Sequence, residues 1–115
     1  MNITEERIRL SVREGRVFVA SMRVACAELL RDISKHATGQ NRRLEINQAL
    51  PKILNAFNPE VKRSSADEAG MTFILKHYEA QYQIPLRTAL HGARDTTQLA
   101  KVLENIHQIT AVVER

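Results

Sequence analysis

Apolar or small residues recur at steps of four and three from Ile8 through Val12, Gly15, Val19, Met22, Cys26 and Leu29 to Ile33, and no proline interrupts residues 4–35. This spacing predicts a helix from Thr4 to about Lys35, with a repeat close to the coiled-coil heptad. Such a helix would extend roughly 45 Å, longer than the about 30 Å diameter expected of a domain of this size. It must therefore project, kink near Gly15 or lie along a second copy of itself. Val17, Phe18, Val24 and Leu30 widen the apolar stripe beyond a two-chain seam, which suits a bundle interior. Gly15 falls on the seam, where a missing side chain allows close backbone approach at a cost of about 1 kcal/mol in helix propensity.

The stretch "HATGQN" breaks the pattern, with Gly39 a natural stop and His36 in the last turn, where the helix dipole favours a cation. A second helix is predicted over Arg43 to Phe57, burying Leu44, Leu50, Ile53, Leu54 and Phe57; Pro51 must kink it or begin a new segment. "NPEVKRSS" reads as a loop. Ser65 with Glu68 three residues on is a capping-box signature, and Met71, Ile74, Leu75, Tyr78 and Tyr82 supply the stripe of a helix that ends before Pro85. A short helix across "PLRTALHGA" and a last one from about Asp95, carrying Leu99, Val102, Leu103, Ile106, Ile109 and Val113, complete the chain. No stretch alternates with period two, and there is no internal repeat or linker. The pattern predicts an all-α fold, a compact bundle of four to five helices with a long N-terminal helix, with residues 1–115 forming a single helical-bundle domain.

Composition agrees. A chain of 115 residues can bury a core without disulfides or metal, and 43% hydrophobic with 26% charged residues is globular composition. Aromatic content of 4% without tryptophan leaves aliphatic side chains to fill the interior, which favours helices. No apolar run reaches the length of a bilayer span, and "MNITEERIRL" has acids where a signal peptide needs a basic start, so a cytoplasmic protein with no membrane partner is expected. The lone Cys26 fits a reducing compartment and, on the apolar seam, core packing.

Charge adds a candidate surface. The net charge is +4, and 12 of the 17 basic residues are arginine. Arg9, Arg13, Arg16, Arg23 and Arg31 advance by four, three, seven and eight, which on the predicted helix is one line about 100° from the apolar seam. Like charges at this spacing repel unless something negative lies against them, and a phosphate backbone is such a partner. The alternative is neutralisation by Glu5, Glu6, Glu14, Glu28 and Asp32. Arg42 and Arg43, with Lys62 and Arg63, stand in predicted loops that would extend the surface. Phe57, Tyr78 and Tyr82 lie on apolar stripes, so stacking of bases on aromatic rings is not expected.

One motif points to chemistry. "RDISKH", residues 31–36, resembles the core motif of the HEPN ribonucleases, in which an arginine and a histidine about five positions apart work on an RNA phosphate. The resemblance covers six residues, and the chain's length and helical character also suit that family. It implies His36 as general acid or base on a ribose hydroxyl or leaving oxygen, Arg31 stabilising the phosphoryl transition state, Asp32 as the polar residue after the arginine, and no metal. Elsewhere His77, His91 and His107 show no paired metal-ligand spacing, Arg87 and His91 form a local patch on one helical face, and no glycine-rich phosphate loop or other cofactor motif exists, so no metal and no cofactor are expected.

The sequence thus predicts a non-catalytic, small, basic helical binding module that contacts a nucleic-acid backbone or an acidic protein surface, as a homo-oligomer or as a subunit of a larger assembly. A protein adaptor, inhibitor or regulator acting through the heptad-like helix is the first alternative. A metal-independent HEPN-like ribonuclease using Arg31 and His36 is the second.

Overall fold

A computed structural model of the chain describes residues 8–35 and 50–114. Among these residues the fold is an all-α bundle of five helices: α1 (Arg16–Lys35), α2 (a helical stretch over 50–56), α3 (Ser65–Tyr82), α4 (Leu86–Gly92) and α5 (Thr96–Ala111). Two short strands, β1 (Ile8–Arg9) and β2 (Val113–Glu114), pair in parallel with Ile8 opposite Val113. His36, Gly39, Arg42, Arg43, Leu44 and the predicted helical residues 4–7 and 43–49 lie outside the described residues.

The long N-terminal helix is present, but it begins at Arg16 rather than Thr4. Three local features set that start. Ser11 and Glu14 bond reciprocally, Ser11 N–H donating to the Glu14 carboxylate at 3.0 Å and Glu14 N–H to Ser11 Oγ at 3.2 Å, a capping-box arrangement closing the turn before α1. Gly15 then takes φ +97°, a conformation that L side chains resist, and its carbonyl accepts the first bond of α1 from Val19 N–H at 3.0 Å. Finally, Gly15 lies against Gly70 of α3: a Cβ on Gly15 would stand 2.2 Å from Gly70 N and 2.8 Å from Ala66 O. Glycine at both positions lets the backbones touch. Upstream of this turn Ile8 pairs with β2 as a strand, its N–H donating to Val112 O at 2.7 Å. Val113, predicted to belong to the last helix, is the partner strand's residue instead.

The other helices follow local sequence. Ser64, one residue before the predicted cap, accepts from Asp67 N–H at 3.1 Å and starts α3. Gln83 in the left-handed region, φ 61°, stops it ahead of Pro85. Asp95 caps α5 by accepting from Gln98 N–H at 2.8 Å. The inner stripe of α1 (Val19, Met22, Cys26, Leu29), Ile53 of α2 with Phe57 just beyond it, Met71, Ile74 and Tyr78 of α3, Leu86 and Leu90 of α4, and Leu99, Leu103, Ile106 and Ile109 of α5 lie in the core. Phe18 meets Phe57 edge to face with centroids 6.2 Å apart. Asn105 Nδ2 donates to Tyr78 Oη at 3.3 Å, a buried polar tie between α3 and α5, where an unpaired amide would be costly.

α1 and α5 run antiparallel, Arg23 reaching His107 while Ile33 lines a cavity with Thr97 and Lys101. Of the four extra apolar residues predicted to widen the interior stripe of α1, Phe18 and Leu30 pack on the core. Val17 and Val24 do not: they are 56% and 50% exposed. Val12, on the predicted seam, is likewise exposed because it precedes the helix rather than lying in it.

Candidate functional site

The five-arginine line predicted on one helix is divided by the start of α1. Arg9 lies in β1, Arg13 in the turn before Gly15, and only Arg16, Arg23 and Arg31 are helical. The predicted line therefore needs a helix that the Ser11–Glu14 turn and the positive φ of Gly15 interrupt. On α1 itself the spacing holds: Arg16 and Arg23 are two turns apart on nearly the same azimuth.

The arginines then separate by what they touch. Arg23 donates from Nη1 to the His107 carbonyl at 3.1 Å, tying α1 to α5. Arg63, predicted to extend a basic loop surface, turns inward instead; its side chain is 5% exposed. Its guanidinium donates to the carbonyls of Asn55 (2.9 Å), Ala56 (2.7 Å), Asn58 (2.7 Å) and Val61 (2.9 Å) and lies 3.8 Å from the Glu68 carboxylate. A helix leaves its last carbonyls without internal partners, and Arg63 supplies donors to that end of α2. Arg87, predicted to form a patch with His91, donates from Nε to Phe57 O at 2.6 Å, while His91 is exposed.

By contrast Arg13 and Arg31 are exposed and Arg16 is half-exposed, and none of the three bonds or ion-pairs with any described residue. Glu14, a predicted neutraliser of the row, spends its carboxylate on Ser11 N–H, and that bond holds its pKa below the ordinary glutamate range. Arg31 stands in the exposed last turns of α1; His36, its companion in "RDISKH", lies outside the described residues, as do Arg42 and Arg43.

Other reactive groups are absorbed by packing. Cys26 is fully buried, and desolvation pushes its thiol up to about 12, which removes the thiolate a nucleophile requires. Tyr78 is buried and Tyr82 is half-buried, donating to Gln108 at 3.1 Å. His77 donates from Nδ1 to Phe73 O at 2.9 Å. His107 is held below the ordinary histidine pKa, first by burial and then by the Arg23 charge. Among the described residues no group of three histidine, cysteine or acidic side chains is placed to hold a metal ion, and no described helix is long and apolar enough to cross a membrane.

A cavity of about 650 Å³ opens between the C-terminal part of α1 and the first turns of α5, bounded by Ile33, Thr96, Thr97, Lys101 and Glu104. The cavity has no signal in the sequence, whereas Val17 and Val24 do, but they lie on the side of α1 opposite the buried stripe and not in the interior to which their pattern assigns them.

Comparison of the chain with protein-family models, with curated proteins and with solved structures finds no match.

Proposed function

We propose that this protein is a non-catalytic, basic helical binding module of the cytoplasm that contacts a nucleic-acid backbone through the arginines at and before α1, as a subunit of a larger assembly. The observation that carries the reading is the division among the arginines. Where this fold uses arginine structurally, at Arg23, Arg63 and Arg87, the guanidinium is bonded to backbone carbonyls. Arg13, Arg16 and Arg31 have no such engagement with the described residues. Cations in that state are open to a polyanion, whose binding gains by counterion release and by paired hydrogen bonds to phosphate oxygens. The burial or half-burial of Phe18, Phe57, Phe73, Tyr78 and Tyr82 leaves few rings for stacking, so the contact follows charge rather than base identity.

Mixing the protein with labelled single-stranded RNA, and separately DNA, in EDTA at two salt concentrations and running native and denaturing gels tests this. The reading expects a shift with both nucleic acids that weakens at high salt, with intact strands on the denaturing gel. No shift at low salt contradicts it. RNA cleavage in EDTA that is lost in His36→Ala would replace it with the ribonuclease alternative, with Arg31 and His36 as the catalytic pair.

A further inference from the structure

We draw no further inference here: the strongest candidate, the outward face of α1 on which Val17 and Val24 are exposed, carries nothing further because nothing among the described residues shows what covers it.

Discussion

The inner and outer sides of α1 share residue types and spacing, and the structure treats them oppositely. On the inner side Val19, Met22, Cys26 and Leu29 are sealed in the core, and the arginine that turns toward α5, Arg23, ends on the His107 carbonyl. On the outer side Val17 and Val24 meet solvent, and Arg31 meets no described residue. What separates the two is whether another element of the same chain arrives with matching chemistry. Apolar area and guanidinium donors that find a partner stabilise the fold, and those that do not remain available for binding. The comparison divides substitutions into those that unfold the protein and those that silence it.

The largest effect is expected where the inner side begins. Gly15→Val puts a branched side chain at φ +97° and a Cβ 2.2 Å from Gly70 N; strain and overpacking together cost about 4 kcal/mol, read as a collapse of the denaturation midpoint. If the variant melts like the natural protein, the close glycine contact is not what starts α1. Next, Leu29→Ala removes a fully buried side chain and costs about 3 kcal/mol, whereas Val24→Ala on the outer side changes stability by less than about 0.5 kcal/mol. Equal losses from the two would erase the distinction between the sides. Arg63→Ala leaves the carbonyls of Asn55, Ala56 and Asn58 short of donors and costs about 2 kcal/mol, while Arg31→Ala leaves chemical denaturation unchanged.

The smallest effect is a pH dependence. His107 has its folded pKa depressed by burial and by Arg23, so between that value and the unfolded value of about 6.5 the unfolded chain binds the extra proton. Its contribution to stability is therefore complete above about pH 6.5 and falls away as the pH drops through the folded value. The melting temperature should fall on acidification from neutral pH, and His107→Gln should reduce that fall. An identical pH profile in the variant would mean that the His107 imidazole is not the source of this dependence.

Much of this is legible in local signals, and most of what is not depends on partners distant in sequence. α5 was located by Asp95 and its apolar period, and α4 by Pro85 and Leu86, because caps and stripes lie in adjacent residues. The start of α1 was not, since Ile8, Val12, Gly15 and Val19 keep the helical period across a turn whose geometry depends on Gly70, 55 residues away. Ile8 pairs with Val113 from the other end of the sequence, a partnership no local window contains. The arginine row inherited the same error: Arg9 and Arg13 shared a face with Arg16 only on a helix that Gly15 ends. Arg63 looked like a loop cation because nothing in "VKRSS" shows that the open end of α2 folds over it. Partners distant in sequence hide most of what is not legible; the exceptions are local, the Ser11–Glu14 pair, whose signature the surrounding helical period masks, and the cap of α3, which is Ser64 rather than Ser65.

The most direct test of the binding claim is the salt dependence of affinity for a labelled single strand, compared between the natural protein and Arg13→Gln/Arg16→Gln. The account predicts that affinity falls steeply with salt for the natural protein, and that the double variant binds more weakly with a log–log slope shallower by about 1.4, near 0.7 for each lost phosphate contact on a single strand, while its melting curve is unchanged. An unchanged slope and affinity in the variant would contradict it.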